Sequence, residues 1–429
     1  MTRFGLTLSL RFRDMAVKSR QLQDLKIDEH TLKVPLVWGD KSDSRTIEVF
    51  VAIVSRPGGE NLPYLVYLQG GPGHEAPRPM HSPVSPSWLD AALAHHRVVM
   101  IDQRGTGRST PVGDFDLAKG AGEVAEYLTH LRADAIVSDC EALRIELGAK
   151  TWSVLGQSFG GFTTLAYIST NASSLSEVYI TGGLSAIGRH PDEIYSLTYE
   201  KMRAASERYY RRFPEHRNAV RSLVGLAEEG SIELPDGEIV SPSRLRSLGM
   251  LLGTNDGWQA VHNLLELSPK SNGFRYDLAG ALPFSARNPL YYVIHESSFS
   301  DGFVTNWSAE RTEPESFKQD ATLLTGEHVR REWLDTVPGL KPWKQVAEII
   351  AKHDWPVLYN RDKIQESKVV GAAAVYQNDV YVPLEFSMET GALMPGVIPW
   401  VTSEQEHSGL RQGVVLPRLI DLARGRVVR

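Results

Sequence analysis

An α/β fold, with a mainly parallel central sheet and an inserted, mostly helical cap, is predicted by three observations. Short continuous apolar runs recur in the first and last parts of the chain. Segments with apolar residues at helical spacing separate the early runs. Residues from about 188 to 335 lack such runs and are rich in Arg, Glu, Leu and aromatics. Strands alternating with helices imply a parallel sheet, because a parallel neighbour is reached only by a crossover connection.

The strand pattern begins with Leu32–Trp38 and Thr46–Ser55 on either side of a turn at Gly39–Ser44. Apolar and polar residues alternate in IEVFVAIVS, as on a half-buried strand. PYLVYLQ (63–69), HRVVMID (96–102), TWSVLG (151–156) and Glu177–Thr181 follow. Their apolar runs suit strands covered on both faces. Gly122–Leu147 has helical spacing and stops at Gly148, a residue that readily closes a helix. The strand pattern resumes at WPVLYN (355–360), VVGAAAVYQND (369–379) and GVIPWV (396–401). The expected division is a first core part (1–187), a helical cap (188–335) and a second core part (336–429).

Composition narrows the function classes. A chain of 429 residues, 42% hydrophobic and 23% charged, suits one large core with an added lobe, or two domains. A net charge of −6 argues against a nucleic-acid partner. The run Arg203, Arg208, Arg211, Arg212 and Arg217 reads as a solvated helix face. The single cysteine, Cys140, permits no intrachain disulfide and fits a cytoplasmic setting. The first residues hold no apolar stretch long enough for a signal peptide. No segment approaches the roughly 18 apolar residues of a membrane span. No HExxH or cysteine cluster occurs, so neither a metal nor another cofactor is expected.

The chemistry centres on Gly156-Gln157-Ser158-Phe159-Gly160, between an apolar run and a helical run. G-x-S-x-G alone describes many turns. Between a strand and a helix it has the setting of a nucleophile elbow, which marks the α/β-hydrolase fold. The turn needs small neighbours, and the following helix points its N-terminal N–H groups where negative charge develops. A serine hydroxyl also needs a base and an acid to orient it. In this fold they follow in the order Ser, Asp or Glu, His. Asp379 follows GAAAVY, and His407 follows GVIPWV. Each is expected just past a strand end, where catalytic loops gather. His353 and Asp362 compete for the same roles, but His353 precedes its expected strand.

Gly70-Gly71-Pro72-Gly73 follows the strand PYLVYLQ. Read functionally, Gly71 supplies one backbone oxyanion donor and Phe159 the other; read structurally, the loop is an ordinary turn. Asp102-Gln103-Arg104-Gly105-Thr106-Gly107-Arg108-Ser109 lacks the phosphate-loop form and reads as a brace for the active-site edge.

LQGGPG, DQRGTGRS, GQSFGGF and the terminal Asp–His pair, in this order, resemble the proline iminopeptidase family. Gln69 stands where the family usually has His before GGPG. The resemblance runs from about 45 to 415, strong in the core and weak in the cap. It implies a metal-free serine aminopeptidase that acts on small peptides with a free N-terminus and prefers proline. Ser158 would be the nucleophile, His407 the base and Asp379 its orienting acid. The family holds the substrate's amino group with cap glutamates. Glu296 in IHESSF and Glu327 in TGEHVR resemble these, and the alternative for each is a solvated surface glutamate. Tyr291, Tyr292, Phe299 and Trp307 are read either as a proline pocket or as cap core. An esterase on the same fold, or a non-catalytic binding protein on this scaffold, are the competing functions.

Overall fold

The structure is a computed structural model that describes residues 18–427. The expectation drawn from residues 1–17 lies outside the described residues. Nine strands form one sheet: β1 Lys18–Leu22, β2 Leu25–Pro35, β3 Thr46–Ser55, β4 Tyr64–Leu68, β5 Arg97–Ile101, β6 Trp152–Gln157, β7 Leu175–Thr181, β8 Gly371–Tyr376 and β9 Val397–Thr402. Their spatial order is β1-β2-β3-β5-β4-β6-β7-β8-β9. β1, β2 and β3 pair antiparallel, and β3 pairs antiparallel with β5. From β5 to β9 every pairing is parallel.

The central parallel strands are mostly apolar because both faces are covered. On β6, Val154 belongs to one hydrophobic cluster and Leu155 to the other. β8 alternates likewise, with Ala373 on one face and Ala372 and Ala374 on the other. Helices α1 (Ala133–Glu146) and α2 (Phe159–Asn171) bury their apolar residues in the first cluster. The C-terminal helix, Val415–Ala423, buries Val415, Leu416, Leu419 and Ile420 in the second.

Between β7 and β8 the described chain adds no strand to this sheet. It forms α3 (Pro191–Arg212), α4 (His216–Glu228), α5 (Gly257–Leu265), α6 (Asn272–Ala281) and several shorter helical turns. The start of α3 is fixed locally. The His190 side chain accepts from Asp192 N–H, Pro191 occupies the first turn, and Asp192 and Glu193 lie where the helix dipole favours negative charge. Apolar residues of α3 and α4 join the same cluster as the sheet face beneath them.

Two sequence expectations need correction. WPVLYN is not a strand. Leu358 and Tyr359 N–H both donate to Asp301 Oδ1, at 2.6 and 3.1 Å, and Arg132 donates to Pro356 O at 2.7 Å. The sheet position beside β7 is filled by β8, so these backbone groups find side-chain partners instead. The single helix expected over Gly122–Leu147 is two, Ala121–Thr129 and α1. The break comes at Arg132, whose extended backbone precedes α1 and whose guanidinium also donates to Ser300 O. No described helix is long and apolar enough to cross a membrane.

Candidate active site

Ser158 stands on the turn between β6 and α2 with φ 54° and ψ −122°, a conformation uncommon for a residue with a side chain. Hydrogen bonds hold this geometry. Ser158 N–H donates to Thr181 O at 3.0 Å, and Gly161 N–H donates to Ser158 O at 2.7 Å. The flanking glycines are steric requirements. A Cβ on Gly156 would lie 2.5 Å from Gly160 O, and one on Gly160 would lie 1.9 Å from Leu68 O. Gly160→Ala is therefore expected to cost about 3 kcal/mol of stability by forcing α2 off β4. Denaturant unfolding measures this; an unchanged midpoint contradicts it.

Asp379 follows β8 and is 1% exposed. Its Oδ1 accepts from Tyr381 N–H at 2.9 Å and Val382 N–H at 3.0 Å. Its Oδ2 lies 2.8 Å from His407 Nδ1. The carboxylate is thereby fixed from both sides and aimed at one imidazole nitrogen. Burial lowers the proton affinity of His407, but the charge of Asp379 and its hydrogen bond outweigh burial and raise it above the ordinary value. The cap also holds the His407 loop: His407 N–H donates to Gly253 O at 3.1 Å, and Asn255 N–H donates to Ser408 Oγ at 3.0 Å. Gly182, at φ 51°, leaves room for the ring, since a Cβ there would lie 2.8 Å from His407 Nδ1.

Ser158, His407, Gly71 and Glu327 line one cavity of about 390 Å³, with Tyr291 and Tyr381 in its wall. Asp379 stands behind His407. Phe159 is buried as the first residue of α2, next to Ser158. Gly70 also approaches the elbow closely: a Cβ on it would lie 3.0 Å from Ser158 Cβ. Gln69, at the position of the resemblance's usual His, accepts from Tyr67 OH at 2.7 Å. The Asp102–Ser109 loop supports this edge. Gln103 Nε2 donates to Gln69 O at 2.9 Å, and the buried Asp102 carboxylate accepts from Ala76 and Arg108 N–H at 3.1 and 2.9 Å. Neither competitor joins the cavity. His353 packs edge-on against Trp355, and Asp362 is exposed on the first turn of the Arg361–Glu366 helix.

The two glutamates part company. Glu327 reaches the cavity, where Tyr291 OH donates to its Oε1. Burial pushes its carboxyl up to about 7, against the Tyr291 hydrogen bond and the nearby His407, which favour ionisation. Glu296 is not a cavity residue. Its two oxygens accept from Ser308 N–H at 3.0 Å and Ala309 N–H at 2.9 Å, closing the start of the short Ser308–Arg311 helix. Glu296→Ala is expected to cost about 1–3 kcal/mol of stability by orphaning two buried donors, without raising KM for an amino-terminal substrate. A raised KM at unchanged stability would return Glu296 to substrate binding. Of the four named aromatics, only Tyr291 lines the cavity, where it packs edge-on against His74.

Sequence reading missed His74 and Tyr381 in this wall. Their only signal was position, close behind the GGPG loop and Asp379. It also missed Glu215, His216 and His262, whose ligand atoms lie within 4.8 Å of one another and could hold a metal ion. They join the start of α4 to α5, so no local motif announces them, and none lines the Ser158 cavity.

Comparison with known proteins places this geometry in a lineage. Residues 63–229 match the model of a family described as alpha/beta hydrolase fold. A proline iminopeptidase of Aeromonas sobria is 36% identical over 419 residues, covering 94% of this chain and 98% of its own length. A proline iminopeptidase of Aspergillus aculeatus is 28% identical, covering 94% of both chains. Among solved structures, a bromoperoxidase from Bacillus anthracis aligns with a TM-score of 0.42 at 13% identity, over 92% of this chain and 99% of its own. The Aeromonas likeness covers nearly the whole of both chains, and by it the chain belongs to the proline iminopeptidase family of α/β hydrolases.

Proposed function

We propose that the chain is a serine aminopeptidase that releases an N-terminal residue, preferentially proline, from small peptides through an acyl-enzyme on Ser158. One observation carries this reading: a part-buried carboxylate, Glu327, lines the same cavity as Ser158 and the Asp379-held His407. A hydrolase of neutral esters has no need of an anion there, whereas a substrate ammonium does. In the proposed mechanism, His407 Nδ1–H donates to Asp379 and leaves Nε2 free to take the Ser158 proton. Ser158 Oγ attacks the carbonyl of the first residue. The backbone N–H groups of Phe159 and Gly71 receive the developing oxyanion, aided by the N-terminus of α2. His407 then protonates the departing amine, and water, activated by the same base, releases the free amino acid. Glu327, held by Tyr291, binds the α-ammonium and limits cleavage to the first bond.

In this reading residues 188–335 act as a cap, with residues 1–187 and 336–429 as the hydrolase core. A cytoplasmic setting accords with the single, buried Cys140. The direct test compares Pro-, Ala- and N-blocked Pro-arylamides with simple p-nitrophenyl esters. Free Pro-arylamide is expected to be cleaved fastest and the blocked form hardly at all. Rapid ester cleavage with no release from free Pro-arylamide would overturn the peptidase reading in favour of an esterase.

A further inference from the structure

Besides Glu327, the Ser158 cavity holds two arginines, Arg287 and Arg411. Arg287 is already neutralised, since its guanidinium pairs with Glu75. Arg411 differs. Its main chain is anchored: Arg411 N–H donates to Ser408 O at 2.8 Å, and Ser87 Oγ donates to Arg411 O. Among the described residues its guanidinium has no ion-pair or hydrogen-bond partner, unlike that of Arg287. It is close enough to His74 and His407 for its charge to lower the proton affinity of both rings. The cavity therefore presents one part-buried carboxylate and one unpaired cation, with Ser158 and His407 in the same wall.

We infer that Arg411 receives the free C-terminal carboxylate of the substrate, and that dipeptides with a free C-terminus are the preferred substrate class. This rests on the aminopeptidase reading and extends it to the other end of the substrate. A dipeptide at neutral pH is a zwitterion whose ammonium and carboxylate flank the scissile amide. With its ammonium at Glu327 and its carbonyl at Ser158, its carboxylate lies on the leaving-group side of the bond. The cavity, at about 390 Å³, is near the small end of the ~300–1,000 Å³ usual for small-ligand sites. A longer or amidated peptide would leave Arg411 without an anion. Because Arg411 is exposed at the rim, solvent and salt screen it, so the preference is modest and falls as salt rises.

The test measures kcat/KM for Pro-Gly and for Pro-Gly amide in the wild type, Arg411→Gln and Arg411→Lys. Comparing acid-to-amide ratios between enzymes cancels the difference in leaving-group basicity and any general change in Ser158 chemistry. The ratio is expected to fall about 5- to 10-fold in Arg411→Gln, chiefly through KM for the acid. Arg411→Lys is expected to restore part of it, and added salt to lower it in the wild type and Arg411→Lys but not in Arg411→Gln. An unchanged ratio in Arg411→Gln overturns the proposal. Pro-arylamide distinguishes the two failures: if it is cleaved while the ratio stays constant, only the carboxylate subsite falls. If neither it nor the dipeptides are cleaved, the aminopeptidase reading falls and takes the subsite with it.

Discussion

Ser158→Ala is expected to lower kcat/KM for Pro-arylamide by on the order of 10⁶-fold, leaving a folded protein that still binds the substrate. Alanine keeps the volume at the elbow and removes only the oxygen. The glycines at 156 and 160 and the bonds from Gly161 and Ser158 N–H hold the turn independently of the hydroxyl. Without Oγ, His407 and Asp379 have no proton to move, and the remaining rate comes from the oxyanion donors and from binding. Unfolding midpoint and activity are measured on the same preparation. A variant that turns over at a substantial fraction of the wild-type rate would remove Ser158 from the mechanism.

Glu327→Gln is expected to lower kcat/KM for free Pro-arylamide by about 10²–10³-fold, the effect of removing one member of a buried charge pair. It should also change the pH profile. In the proposed mechanism two groups must be deprotonated in the free enzyme: His407 to accept a proton, and Glu327 to hold an ammonium. His407 is raised above its usual value, and Glu327 is pushed up to about 7 by burial. As pH falls through about 7, both become protonated, and log kcat/KM should drop with a slope approaching two. On the alkaline side it falls again as the substrate amine, with a pKa near 8, loses its charge. In Glu327→Gln only His407 remains on the acid side, so the slope falls to one. A slope of one in both enzymes would remove Glu327 from ammonium binding.

Much of this site could be read from residue order. The runs at β4, β5, β6 and β7 are apolar because both sheet faces are covered, and that cause acts at most residues of each strand. Asp379 and His407 were recognisable because each follows a run that became β8 or β9. WPVLYN has the same local appearance, yet its fate depended on a carboxylate 57 residues away and on β8 filling the available sheet edge. The two glutamates show the same limit. Glu296 is buried and Glu327 part-buried, and both carboxyls are raised to about 7. Only the path of the cap decides that one closes a helix and the other meets the cavity. Sequence spacing carries strand and elbow geometry well because these are local. Which carboxylate faces the cavity is fixed by packing between distant segments.

The central claim joins an activated Ser158 to recognition of a free N-terminal residue. Labelling with a prolyl aryl phosphonate tests both halves at once, because such a compound traps an activated serine as a stable tetrahedral adduct. Peptide mapping by mass spectrometry is expected to locate the adduct on Ser158. The adduct should be absent in Ser158→Ala, slow to form in His407→Ala and Glu327→Gln, and hardly formed by the N-acetylated reagent. An adduct on another residue, or equal labelling of Ser158 by the free and N-acetylated reagents, would contradict the account.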